Sequence, residues 1–215
     1  MVAKASSPAI IVLSILLFIS VFYNISLSRK IDIDLTVTEV VDGDTFVLEN
    51  DQRVRLRGLD GPETGRCGSK AAKDRLTELV EGKQIHLKNT IVDSYGRTLA
   101  HVYQGSVFVN EVMLEEGLAR IQDEGTEAHE AFTAASKRAR EAGLGIYSPT
   151  CRSTIPPDKS CVIKGNIRSG KKLFYRPTCE FYNQVVVDTS FGDIWFCTES
   201  EAKQEGFNLA ETCSR

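Results

Sequence analysis

Apolar residues change rhythm along this chain, and each change marks an element. Residues 35–41 and 45–48 alternate apolar and polar positions around Asp42-Gly43-Asp44, and 53–59 alternates again after a turn at Asn50-Asp51. Period-two alternation predicts strands with one buried face, here three in a meander. Residues 69–80 shift to helical spacing: Ala72, Leu76, Leu79 and Val80 share one face, Ser69 is placed to cap the start and Gly82 to end the helix. Two more strands are predicted at 84–89 and 98–103, with Asp93 to Arg97 in the turn between them. Asn110 is placed to cap a short helix ending at Gly117, and Thr126 to open a last helix reaching about residue 142. Five strands and three helices in this order fit an α+β domain on a small, partly open OB-fold β-barrel. Ligand sites on such barrels lie on one face and in the surrounding loops.

Two segments break this pattern. Residues 9–27 are nearly all apolar, preceded by Lys4 and followed by Arg29 and Lys30, as in a secretory signal peptide or an uncleaved membrane anchor. Either reading exports the body to the periplasm or the extracellular space, and the uncleaved form would tether it to the inner membrane. After Ser148-Pro149 the text changes again. Residues 151–160, with Pro156-Pro157-Asp158, read as a linker, and 161–215 as a small β-rich module ending in a short helix around 199–206. The body, 31–150, would then be the barrel domain.

Charge narrows the partners. The chain has 26 basic and 29 acidic residues, and without Lys4, Arg29 and Lys30 the balance is 23 against 29. An acidic body excludes broad, charge-driven nucleic-acid binding but leaves room for a local basic cleft. All six cysteines (Cys67, Cys151, Cys161, Cys179, Cys197 and Cys213) follow the apolar segment. An even number in an exported chain suggests disulfides, and three pairs can connect in fifteen ways.

The candidate chemistry lies in three motifs: Asp42-Gly43-Asp44-Thr45, Arg55-Leu56-Arg57-Gly58-Leu59-Asp60-Gly61-Pro62-Glu63, and Asp93-Ser94-Tyr95-Gly96-Arg97. Asp44 and Asp60 lie at strand ends and offer hard oxygen donors suited to Ca²⁺ or Mg²⁺. Glu63, stiffened by Pro62, could take a proton from a water. Arg55 and Arg97 offer forked guanidinium groups for phosphate oxygens. Arg55 and Arg57 share one strand face, and an inward arginine needs an anionic partner, such as a phosphate. His86, His101 and His129 are scattered and read as structural, as does Trp195.

In residue type, order and local spacing these motifs resemble the thermonuclease, or staphylococcal nuclease-like, family over about residues 36–147. The resemblance implies an OB-fold barrel that uses Ca²⁺ to hydrolyse DNA and RNA and leaves 3′-phosphates. It implies Asp44, Asp60 and the Gly61 carbonyl as metal ligands, and Glu63 as general base. Arg55 and Arg97 become the transition-state arginines, and Tyr95 lies close to the nucleotide phosphate. No obligate protein partner is implied. The alternative is the same barrel as a catalytically weak nucleic-acid-binding module.

The chain departs from the family pattern in places. Gly61 stands where Thr is common, Ser94 replaces a lysine of some members, and the loop after Glu63 is short and carries Cys67. Residues 121–125 are acidic where some members have base-stacking tyrosines, which predicts weaker substrate binding, since stacking contributes roughly 1–3 kcal/mol per base.

Residues 172–179 and 195–207 resemble a C-terminal module of some exported bacterial nucleases and, more distantly, an Ada-type zinc module. The zinc set is broken here. The resemblance therefore implies Cys179–Cys213 as a disulfide in place of the metal, Cys161–Cys197 as a cross-strand bridge, and Cys67–Cys151 tying the loop after Glu63 to the end of the barrel domain. Lys164, Arg168, Lys171, Lys172 and Arg176 form a basic run that either helps hold nucleic acid or is a solvated face.

Overall fold

The computed structural model describes residues 35–122, 125 and 127–213, together with Leu17 and Ser20. The apolar segment 9–27 otherwise lies outside the described residues. Among the described residues no helix is long and apolar enough to cross a membrane.

The first strands are β1 (Leu35–Val40), β2 (Thr45–Leu48), β3 (Arg53–Leu56) and β4 (Leu59–Asp60). The strand expected over 53–59 is split because Gly58 takes a left-handed φ of 83°, which turns the chain between β3 and β4. Helix α1 (Ser69–Val80) follows, then β5 (Gln84–Val92), β6 (Thr98–Gln104), β7 (Val107–Phe108), α2 (Val109–Glu115), β8 (Arg120–Ile121) and α3 (His129–Glu141). Strands run β3-β2-β1-β5-β6-β7, and β3 also pairs with β6 in parallel, Val54 opposite Thr98 and Leu56 opposite Ala100. That pairing closes a five-stranded OB-fold barrel, where the sequence suggested a partly open one. Val37, Phe46, Leu48, Val54, Leu56 and Val102 fill its interior, joined by Ala72 and Leu76 of α1 and Phe132 of α3. Each such large side chain contributes roughly 1.5–3 kcal/mol.

Two expected caps do other work. Gly68, with φ 83°, is the N-cap of α1, and the Ser69 hydroxyl donates to the Arg66 carbonyl. Asn110 lies inside α2, fully buried. Its Oδ1 accepts from Val102 N–H at 2.8 Å, and its Nδ2 donates to the carbonyls of Arg57 (2.9 Å) and Ala100 (3.1 Å). It therefore satisfies three backbone groups where the end of β3 meets β6, groups that would be costly if left unpaired.

Beyond α3 come β9 (Arg152–Ser153), β10 (Ile163–Arg168), β11 (Lys171–Tyr175), β12 (Val187–Asp188), β13 (Ile194–Phe196), helix α4 (Glu199–Gln204) and β14 (Asn208–Leu209). A four-stranded sheet, β13-β10-β11-β14, covers a small core of Ile163, Phe174, Phe196, Ala202 and Phe207. The stretch expected as a linker is partly ordered into structure: β9 pairs with β12, Val187 opposite Ser153. Residues from Leu35 onward form one compact unit. Disulfides join Cys67 to Cys151, Cys161 to Cys197 and Cys179 to Cys213, with Cα separations of 5.4, 3.6 and 4.5 Å. These are the pairs the module resemblance implied.

Candidate active site

The turn before β2 and the short strand β4 bring Asp44 and Asp60 onto a single guanidinium. Arg55 Nη1 donates to Asp44 Oδ1 and Nη2 to Asp60 Oδ1, both at 2.7 Å. Thr45, next to Asp44, lies opposite Arg55 in the β2–β3 ladder, which sets the pair in register. Asp44 is 2% exposed. Its Oδ1 also accepts from the Thr45 hydroxyl at 2.7 Å, and its Oδ2 accepts from Gly61 N–H at 2.8 Å. Burial pushes the Asp44 carboxyl up to about 7; Arg55 opposes the rise, nearby Asp42 adds to it, and the Gly61 N–H and Thr45 hydroxyl favour the anion.

Two glycines make this approach possible. A Cβ at Gly43 would stand 2.6 Å from Ala72 Cβ, so the turn packs directly on α1. A Cβ at Gly61 would stand 3.2 Å from the Gly43 carbonyl carbon and 3.3 Å from Asp44 Oδ2. A side chain at 61 would therefore crowd this acid by a few tenths of an ångström.

Glu63 lies just past this cluster, exposed, after a buried Pro62. Its carbonyl accepts from Arg66 N–H at 2.9 Å, turning the loop toward Cys67. The bridge to Cys151 and the close seat of Gly68 against Ile146 and Pro62 fix that loop at its far end.

Arg97 and Tyr95 sit in the β5–β6 turn. Asp93 organises it, Oδ1 accepting from the N–H groups of Tyr95 and Arg97 at 2.9 Å each and Oδ2 from Arg97 Nε at 2.8 Å. Desolvation works against the Asp93 anion, but the Arg97 and Tyr95 bonds outweigh it and hold the carboxyl below the usual range. The Arg97 guanidinium lies 5.4 Å from the centroid of the exposed Tyr95 ring. The parallel β3–β6 pairing places Thr98, next to Arg97, opposite Val54, next to Arg55. Hydrogen bonds therefore unite Asp44, Arg55, Asp60 and Gly61, whereas Arg97 and Tyr95 are tied to Asp93.

Arg55 has acids as its partners, so the phosphate invoked from the sequence is not needed to neutralise it. A residue missed by sequence reasoning is Arg120. It lies opposite Asp60 in the β4–β8 pair and donates through Nε (3.0 Å) and Nη2 (2.8 Å) to Asp60 Oδ2. Two-residue strands leave no periodic signal, so nothing local in the sequence announces this contact.

The staphylococcal nuclease homologue model matches residues 53–149. The micrococcal nuclease of Shigella flexneri is 35% identical over 127 residues, 52% of this chain and 72% of its own. The thermonuclease of Staphylococcus hyicus is 32% identical over 166 residues, 67% of this chain and 98% of its own. This chain belongs to the staphylococcal nuclease family. The staphylococcal-like nuclease CAN1 of Arabidopsis thaliana is 42% identical over 73 residues, but the match spans 34% of this chain and 23% of the plant protein.

The residues present fit the hard divalent cation that the family implies. Asp44 and Asp60 supply hard carboxylate oxygens that converge on one positive group, the donor type such a cation takes. Among the described residues no three His, Cys, Asp or Glu side chains gather into a closed metal cage.

The C-terminal basic run of this staphylococcal nuclease relative is divided: Lys164 is buried within the fold, while Arg168, Lys171 and Lys172 remain exposed. Lys164 is 1% exposed, and its Nζ donates to the carbonyls of Tyr182 (2.9 Å) and Val185 (2.8 Å). Arg168 pairs with Asp193, and Arg176 with Glu199. The Lys172 ammonium donates to the Glu205 carbonyl. His101 is buried against the edges of Phe108 and Phe132, in keeping with a structural role.

Proposed function

We propose that this member of the staphylococcal nuclease family is a Ca²⁺-dependent nuclease that hydrolyses phosphodiester bonds of DNA, RNA or both and leaves 3′-phosphates. The observation that carries this reading is the convergence of Asp44 and Asp60 on Arg55, with Glu63 three residues beyond Asp60. The names of the relatives support a nuclease.

Asp44, Asp60 and the Gly61 carbonyl would hold the cation. When bound, it supplies positive charge for a non-bridging phosphate oxygen and for the attacking water. Glu63 is exposed, and its carboxylate takes the water's proton as attack proceeds in line. Arg55, fixed by two acids, presents its remaining N–H groups to the phosphoryl oxygens. Arg97 leaves Asp93 or shares it to reach the same oxygens from the β5–β6 turn. Preorganised guanidinium groups act where charge grows at phosphorus. Tyr95, at the turn's exposed tip, lies beside the nucleotide.

The protein is exported in this reading, its apolar N-terminal segment acting as signal or anchor. Three disulfides support an oxidising compartment. Purified protein incubated with denatured DNA, duplex DNA and RNA, in Ca²⁺, in Mg²⁺ and in EGTA, tests the activity. Cleavage in Ca²⁺ that EGTA abolishes, with phosphatase-sensitive 3′ ends, is expected. Cleavage indifferent to EGTA, or none with any substrate, refutes the proposal.

A further inference from the structure

Arg120 is held from two sides. Its guanidinium donates to Asp60 Oδ2, and its Cζ lies 3.7 Å from the centroid of the Phe191 ring. Phe191 comes from the C-terminal segment, beyond the 53–149 stretch that matches the family model. It ends the 3₁₀ turn Thr189–Phe191, whose seat is well defined. Thr189 donates through its N–H (2.9 Å) and its hydroxyl (3.0 Å) to the Cys151 carbonyl. Asp188 caps the turn by accepting from Ser190 N–H, and Cys151 is bridged to Cys67 in the loop after Glu63. A Cβ at Gly192 would lie 3.6 Å from Arg66 Nη2, so the same turn also abuts that loop.

The geometry constrains how Asp60 can point. Arg120 occupies Oδ2 and Arg55 occupies Oδ1, the oxygen that shares a guanidinium with Asp44. The Arg120 side chain is 51% exposed, so without the ring beneath it solvent would compete for its N–H groups. A guanidinium stacked on an aromatic face is confined to one plane. We propose that Phe191 is a positioning residue for Asp60, acting through Arg120, so that the C-terminal segment completes the cation-binding site. This rests on the reading of Asp44 and Asp60 as metal ligands.

The test is calorimetric titration of the full-length protein with Ca²⁺, for wild type, Phe191→Ala, Phe191→Leu, Phe191→Tyr and Asp44→Asn. Loss of a stacked cation–ring contact should weaken Ca²⁺ binding roughly threefold to tenfold in the Ala and Leu variants, with Tyr like wild type. On denatured DNA, kcat of the Leu variant at limiting Ca²⁺ should fall and recover when Ca²⁺ is raised, with KM for DNA unchanged. Because Ca²⁺ would also rescue a weakened fold, the Leu variant should match wild type in melting temperature in EGTA, and a lowered one with unchanged Ca²⁺ affinity would mark a structural role instead. If Phe191→Ala does not fold, the Leu and Tyr pair decides. Ca²⁺ affinities equal to or tighter than wild type in both Ala and Leu, or Leu alone where Ala does not fold, overturn the role of Phe191 while leaving the site standing. Ca²⁺ binding indifferent to Asp44→Asn overturns both.

Discussion

Arg55 Nη1 meets Asp44 Oδ1 at 2.7 Å, with side-chain exposures of 14% and 3%. A second nitrogen of the same guanidinium holds Asp60, which Arg120 also meets, so Arg55 bridges the two acids and is the only arginine on Asp44 among the described residues. Removing it leaves buried Asp44 with only the Thr45 hydroxyl and Gly61 N–H as donors, while Asp60 keeps Arg120. We expect Arg55→Gln to destabilise the metal-free protein by roughly 2–5 kcal/mol. Ca²⁺ should recover part of that loss. Chemical denaturation with and without Ca²⁺ checks both statements, and an unchanged midpoint would refute them.

Asp44 should make metal-free stability depend on pH. Burial raises its folded pKa from 3.8 to about 7, so the folded state keeps the proton to higher pH than the unfolded chain. Stability tied to this group is then fully present below about pH 4 and is lost as pH rises toward about 7. Asp44→Asn cannot ionise. It should be about as stable as wild type near pH 4 and more stable by on the order of 2–4 kcal/mol near pH 8 without metal. Paired melts in EGTA across that range measure the difference, and a gap that does not grow with pH contradicts it.

Glu63 is exposed and lies outside the core, so its loss should spare the fold. Glu63→Gln is expected to lower turnover by roughly 10²–10⁴-fold with an unchanged melting temperature. Wild-type turnover in this variant removes Glu63 as the base.

Asn110 should be among the costliest polar positions to change. Asn110→Leu, somewhat larger than the amide, strands Val102 N–H and the Arg57 and Ala100 carbonyls. A loss of about 2–4 kcal/mol in urea unfolding is expected, against about 1 kcal/mol if the amide were merely a helix cap exposed to water.

The Cys67–Cys151 bridge closes a separation of 84 residues. Replacing both cysteines by serine should cost about 2–5 kcal/mol through the freed unfolded chain. Turnover should drop as well, because the loop carrying Glu63 loses its far anchor. Equal activity and stability in the double variant would show that packing of Gly68 and Pro62 alone fixes the loop.

The barrel was legible where one face is buried over several residues. The alternation through β1 and β2 and the helical spacing of Ala72, Leu76 and Val80 locate those elements closely. Closure was not legible, because it depends on β3 pairing in parallel with β6, distant in sequence. Asn110 was misread because asparagine favours caps in general, and only the tertiary fold supplies three buried backbone groups for it. Lys164 was misread for the complementary reason: β10 is covered on both faces, so a lysine there turns inward to carbonyls. Asp44, Arg55, Asp60 and Gly61 do meet, whereas the Arg120 contact depends on a two-residue pairing with no local signature.

The span of the Cys67–Cys151 bridge has a consequence for biosynthesis. A ribosome delivers the Glu63 loop well before the residue that ties it down, since 84 positions separate the two sulfurs' residues. The Glu63 loop therefore lacks its far anchor when it first emerges. Fastening waits for Cys151, about seven tenths of the way along the chain, and for the oxidising compartment where the two sulfurs join, so the barrel strands and the helix bearing Phe132 are all made before this loop is tied down.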